Sequence, residues 1–90
     1  MYSKKVMIKN QSGLHARPAK ELVTCAQEYA SKITICKAGK EDRTINAKSI
    51  VSLLTLSLTQ GEDAVITAEG TDEIEAVEAL AKLIESGFGE

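Results

Sequence analysis

The chain has 90 residues, 43% hydrophobic and 27% charged, with a formal net charge of −2. That length provides one domain, residues 1–90, with room for one core layer and one site. Eleven Lys and Arg against thirteen Asp and Glu, never gathered into a basic stripe, argue against a nucleic-acid partner, and no apolar run approaches the ~18 residues of a membrane span.

Along the chain, Lys5-Val6-Met7-Ile8-Lys9 alternates as a short strand with Val6 and Ile8 on one face. Asn10-Gln11-Ser12-Gly13 closes it as a turn. The residues before it carry positive charge but no apolar stretch and no small-residue cleavage site, so a cytoplasmic location is expected. From Pro18 onward, Ala19, Leu22, Val23, Ala26 and Ala30 follow the 3.6-residue stripe of an amphipathic helix. Ile33-Thr34-Ile35-Cys36-Lys37 alternates with period two, Ala38 to Arg43 is a charged loop around Gly39, and Thr44 to Ala47 returns as the partner strand of a hairpin.

The stretch Ile50 to Leu58 is apolar enough for a buried strand but also has helical spacing at Ile50, Leu53, Leu54 and Ser57. A short helix is the preferred reading, because Ser49 is a good N-cap and Gln60-Gly61 marks a stop before the strand Ala64–Ala68. Asp72 and Glu75 have the spacing of a capping box. Ile74, Val77, Leu80, Ala81 and Ile84 then form the stripe of a last helix, which Gly87 ends. The order β-α-β-β-α-β-α implies an α+β fold: a two-layer open-faced sandwich with a four-stranded antiparallel sheet and three helices on one face.

Cys25 falls on the first helix and Cys36 on the sheet face away from the helices, so a disulfide is not expected, and a reducing cytosol keeps both as thiols. With a single His, the ligands for a metal site are missing, and no cofactor is implied.

The chemistry concentrates in Gly13-Leu14-His15-Ala16-Arg17-Pro18-Ala19. The only His lies at the start of a helix whose Pro occupies the first turn, where a missing N–H costs nothing. A helix start offers unpaired N–H groups, here of Ala16 and Arg17, and the positive end of a macrodipole, which together make an anion site. A neutral imidazole there is a nucleophile, and the same field stabilises a dianionic group once a ring nitrogen carries it. Arg17 adds a fork matched to phosphate oxygens. Because Arg17 precedes Pro18 it is biased away from αR, so the helix proper is expected to begin at Pro18. A Ser-His-Asp hydrolase is poorly supported, since no carboxylate lies in the segment to orient the ring.

The string Gly13-Leu14-His15-Ala16-Arg17-Pro18-Ala19, with Asn46-Ala47-Lys48-Ser49-Ile50 and Gly70-Thr71-Asp72-Glu73, resembles the HPr family, the histidine-containing phosphocarriers of the bacterial phosphoenolpyruvate:sugar phosphotransferase system. The resemblance covers essentially the whole chain. It implies a phosphoryl-carrying protein rather than an enzyme, in which His15 accepts a phosphoryl group from Enzyme I and passes it to Enzyme IIA domains for sugar uptake, with Arg17 assisting. It also implies helix after Ser49, and regulatory phosphorylation of Ser49 by an HPr kinase/phosphorylase, read by a catabolite regulator. An exposed site visited by two partners requires a shallow apolar surface beside it; Ile50, Val51 and Leu54 are the candidates, and a monomer is expected.

Two features depart from the family. Gly39–Thr44 looks about three residues longer than usual, which a surface hairpin absorbs cheaply, and Val51–Ser57 lacks the Met and Gly that relatives tend to have there, which bears on partner choice. Three readings follow: a phosphocarrier, a regulatory binding module acting mainly through phosphorylated Ser49, and a generic α+β interaction domain with an incidental His.

Overall fold

The strands and helices of the chain are set by two periodicities that meet in one apolar cluster. In the computed structural model, which describes residues 1–90, the elements are β1 (Tyr2–Met7), α1 (Ala16–Gln27), β2 (Lys32–Lys37), β3 (Ile45–Asn46), α2 (Ile50–Leu54), β4 (Asp63–Glu69) and α3 (Glu73–Glu85), with 3₁₀ turns at Glu41–Arg43 and Gly87–Gly89. The strands form one antiparallel sheet in the order β1-β4-β2-β3. The helices pack on one face of it, so the fold is the α+β open-faced sandwich that the element order implies.

Period-two alternation sends Val6, Ile33, Ile35, Ala64, Ile66 and Ala68 to the helix-covered face, where they meet Leu22 and Ala26 of α1, Leu53 of α2, and Val77, Leu80 and Ile84 of α3. The opposite face carries Ser3, Thr67, Thr34 and Asn46 in one row across all four strands. In that row the Ser3 and Thr67 hydroxyls lie 2.8 Å apart, a cross-strand hydrogen bond.

Several boundaries and faces differ from the sequence expectation. The first strand ends at Met7 rather than Lys9, and Ile8, fully buried, continues the pairing through bonds with Glu62 and Gly61. The returning strand shortens to Ile45–Asn46, because Glu41–Arg43 coil into a 3₁₀ turn. Ala30 lies beyond the end of α1 and is exposed. On α3, Ile74 points outward at 54% exposure and Ala76 takes the inward place expected of it, because only the later positions of the helix face the sheet. Both cysteines are free: Cys25 is half-buried on α1, and Cys36 is buried on β2 outside the apolar cluster that Ile33 and Ile35 join.

The expected capping box of α3 does not form. Asp72 is the N-cap residue but makes no side-chain cap bond. Its carboxylate instead reaches across to the turn after α1, accepting from the Ala30 N–H at 2.9 Å, the Ser31 N–H at 3.0 Å and the Ser31 hydroxyl. The Glu73 carboxylate takes over the return bond, accepting from the Gly70 N–H at 3.1 Å. A charged acceptor with three donors in a fixed turn is better satisfied than one with a single amide of its own helix. These bonds tie α3 to the start of β2 and, led by the Ser31 hydroxyl and the Ala30 N–H, hold the Asp72 carboxyl below its ordinary pKa.

A carboxyl whose pKa is depressed by folding stabilises the fold above its unfolded value near 4 and loses that contribution as pH falls through the lower folded value. Asp72→Asn is therefore expected to lower the urea midpoint at pH 7. The gap between variant and parent should close as the pH is taken below about 4. Urea titrations of both chains across that range check this, and a pH-independent gap would contradict it.

Candidate functional site

The position of His15 is set by the turn that precedes it. Gly13 donates to the Asn10 carbonyl at 3.2 Å, the Asn10 side-chain amide donates back to the Gly13 carbonyl at 2.9 Å, and the Leu14 N–H donates to the Leu58 carbonyl at 2.9 Å. Gly13 has φ +67°, and a Cβ built on it would lie 2.4 Å from the Leu58 oxygen and 2.8 Å from the Thr59 Cα. Only glycine fits so close a backbone crossing. Leu14 is buried behind the turn, and the next residue, His15, emerges half-buried.

His15 is the N-cap of α1, in extended conformation with φ −132° and ψ 158°. Its side chain makes no cap bond, and the Ala16 and Arg17 N–H groups find no acceptor in a turn, loop or cap. The helix starts at Ala16 rather than Pro18. Ala16, the first residue of the helix, has φ +54°, a left-handed conformation that costs an L-residue about 1 kcal/mol or more. Pro18 is buried and lies in the first turn, where its missing N–H is no loss.

Arg17 leans away from its own helix start toward the C-terminal tail. One terminal nitrogen pairs with the Glu21 carboxylate four residues on, and the other donates to the Phe88 carbonyl at 2.9 Å and lies 3.8 Å from the Glu90 carboxylate. Glu90 in turn accepts from the Ser12 N–H at 3.2 Å, the Ser12 hydroxyl at 2.9 Å and the Asn10 amide at 3.3 Å. Those bonds, those from Ser12 foremost, with Asn10 and the Arg17 charge behind them, hold the Glu90 carboxyl below its ordinary pKa. The tail reaches this place because Gly87, at φ +74°, breaks α3, and Phe88, at φ +55°, buries its ring. Glu21, Phe88 and Glu90 were not among the expected site residues. Two local signals pointed to them: the i,i+4 spacing of Glu21 from Arg17 on one helix, and the lone Phe between two glycines, which marks an anchored end rather than a frayed one.

Beside the helix start, α1 and α2 enclose a groove of about 460 Å³ lined by Ala16, Lys20, Val23, Thr24, Gln27, Ile50 and Leu54. Ile50, Val51 and Leu54 are 37%, 72% and 40% exposed, whereas Leu53 is fully buried: a helix of one and a half turns has one side for the core and three positions left over. Val51, although exposed, does not line the groove. The start of α2 is held by the Lys48 ammonium on the Tyr29 carbonyl at 2.7 Å and by the Gln27 amide on the Lys48 carbonyl at 3.2 Å. Ser49 is the N-cap, its half-buried hydroxyl accepting from the Ser52 N–H at 3.3 Å. The structure therefore places Ala16, Ile50 and Leu54 around one groove at the His15 end of α1, with Ser49 at the start of the facing helix.

Comparison with known proteins places this geometry in context. A protein-family model described as the PTS HPr component phosphorylation site matches residues 2–86. The phosphocarrier protein HPr of Haemophilus influenzae is 48% identical over 84 residues, covering 93% of this chain and 95% of the relative. The multiphosphoryl transfer protein of the same organism is 41% identical over 83 residues, and there the chain spans 17% of the relative's length. Among solved structures, HPr-C-His from Thermoanaerobacter tengcongensis superposes with a TM-score of 0.92 at 46% identity, covering 100% of this chain and 98% of the other.

Gly13→Ala is expected to destabilise the fold by at least about 2 kcal/mol, since a left-handed backbone and a collision with main-chain atoms are combined. A urea titration checks the magnitude, and amide shifts concentrated at His15, Ala16 and Leu58 in an ¹⁵N correlation spectrum check the location.

Proposed function

The chain belongs to the HPr family of phosphocarrier proteins of the phosphotransferase system, and from that membership we propose that residues 1–90 act as one carrier domain whose phosphoryl acceptor is His15. The observation that carries the reading is the helix start. His15, half-buried, is the N-cap residue of α1 without a side-chain cap bond, and the Ala16 and Arg17 N–H groups find no acceptor in a turn, loop or cap, which suits a phosphoryl dianion. The lone pair of a neutral ring nitrogen attacks phosphorus, the bond from phosphorus to the donor breaks, and its electron pair leaves with the donor. Delivery is the reverse displacement by an acceptor nucleophile. Arg17, released from its contacts with Glu21 and the C-terminal tail, would meet the charge on the phosphoryl oxygens.

The donor in this reading is Enzyme I and the acceptors are Enzyme IIA domains of sugar uptake, in the cytoplasm, with the carrier a monomer. A shallow apolar groove beside His15 supports serial docking better than a deep pocket would, because two partners must reach the same nitrogen in turn. Ile50 and Leu54 are docking contacts by that argument, with Val51 at its rim. Ser49 is the regulatory position. A phosphate on its hydroxyl would sit at the N-terminus of α2 without refolding it, and would set negative charge beside the apolar contacts. A kinase of the HPr kinase/phosphorylase type and a catabolite regulator are the partners this second modification implies. A module acting mainly through Ser49 is the alternative; it predicts modification at Ser49 with no use by Enzyme I.

With phosphoenolpyruvate and Enzyme I, the chain is expected to take acid-labile, alkali-stable phosphate, and His15→Ala to take none. Label that persists in the variant overturns the assignment. Ser49→Ala is expected to keep the label while lowering stability by about 1 kcal/mol through the lost cap, as read from urea titration.

A further inference from the structure

Arg17 is the only guanidinium at the helix start, and its terminal nitrogens are already engaged. Its three partners differ in what else they do. The Phe88 carbonyl is neutral and belongs to an anchored tail. The Glu90 carboxylate is bonded by Ser12 and Asn10 and sits 3.8 Å from the guanidinium, beyond hydrogen-bond reach. The Glu21 carboxylate bonds to Arg17 and to no other group. It projects from α1 one turn above Arg17, with 43% of its side chain exposed, and contributes nothing to the apolar cluster. A carboxylate is the planar anion that a guanidinium fork matches best, and a phosphoryl dianion on His15 presents the same kind of acceptor to the same fork.

Resting on the assignment of His15 as acceptor, we propose that Glu21 is a positioning residue that competes with the histidyl phosphate for Arg17. An interaction made in the unloaded chain and surrendered in the loaded one shifts the loading equilibrium toward the unloaded form by its own free energy. Glu21 thereby limits how firmly Arg17 holds the phosphoryl group and keeps that group transferable to the next nucleophile. Without it, the guanidinium would be free for the phosphoryl oxygens, and the carrier would load more readily and deliver less readily. Because the pair is solvent-exposed, the effect is modest.

The test is the equilibrium of phosphoryl exchange between the full chain and Enzyme I at fixed phosphoenolpyruvate and pyruvate, read by ³¹P NMR so that slow variants still report. Glu21→Gln is expected to shift the equilibrium about two- to fivefold toward the phosphorylated chain, the range of an exposed ion pair. Glu21→Asp, which keeps the charge with a shorter reach, should fall between variant and parent. In an Arg17→Ala background the Glu21→Gln shift should vanish, because the competition has lost its object. A shift of equal size in that background would mean plain repulsion between carboxylate and phosphate and would overturn the proposal, as would an unchanged equilibrium in Glu21→Gln. If the parent chain itself takes no label at His15, the acceptor assignment fails first and the role of Glu21 falls with it.

Discussion

The organisation of the site depends on one close backbone crossing. Where Gly13 passes the Leu58 carbonyl there is no space for a side chain, so the turn after β1 and the segment after α2 are locked together at van der Waals distance. That crossing fixes where α1 starts, hence where His15 stands, and it brings the C-terminal side of α2 alongside. Leu14 and Leu58 fill the space beneath it, both fully buried. The site thus rests directly on the core, and His15 stands next to buried neighbours that set its position.

Around that anchor the C-terminal tail folds back. Asn10, Ser12, Arg17, Phe88 and Glu90 form one hydrogen-bonded patch, so the tail after α3 becomes part of the helix start of α1. The electrostatics are graded: a helix terminus with unpaired donors, one guanidinium, and carboxylates that hold the guanidinium from two sides. In the proposed carrier role, such a balance of a cation against anions of its own chain would keep the phosphoryl group transferable without a deep pocket. The strained Ala16 backbone stands at the same point, where conformational strain is commonly concentrated in functional structures.

The second helix divides its residues between two duties. Leu53 enters the core, while Ile50, Val51 and Leu54 stay at the surface, and Ser49 ties off the first turn. Its short length makes the division unavoidable. The Lys48 ammonium on the Tyr29 carbonyl, just past the end of α1, ties the start of α2 to the first helix, and the groove between them runs along α1 from Ala16, next to His15, to Gln27.

Periodicity and punctuation made most of the fold legible: the alternating strands, Ser49 as a cap, Gly87 as a stop and, Ala30 and Ile74 excepted, the two amphipathic stripes stand where their local chemistry sends them. The scarcity of His and Pro, one of each and placed three residues apart, pointed to the region of the helix start, which the structure puts at Ala16 rather than at the expected Pro18. What spacing could not supply were contacts made across the chain. Asp72 and Glu75 have the spacing of a local cap, yet Asp72 bonds to Ser31 some forty residues away, since a turn with three donors outcompetes one amide. Phe88 and Glu90 join Arg17 only because the tail after α3 returns to α1, whereas Glu21 joins it as the i,i+4 neighbour on the same helix. Local residue chemistry therefore determined the elements and the reactive side chain. The tertiary structure alone decided which distant groups join the local Arg17–Glu21 pair, because charge pairing depends on distance in space, and separation along the chain sets that distance only within a helical turn.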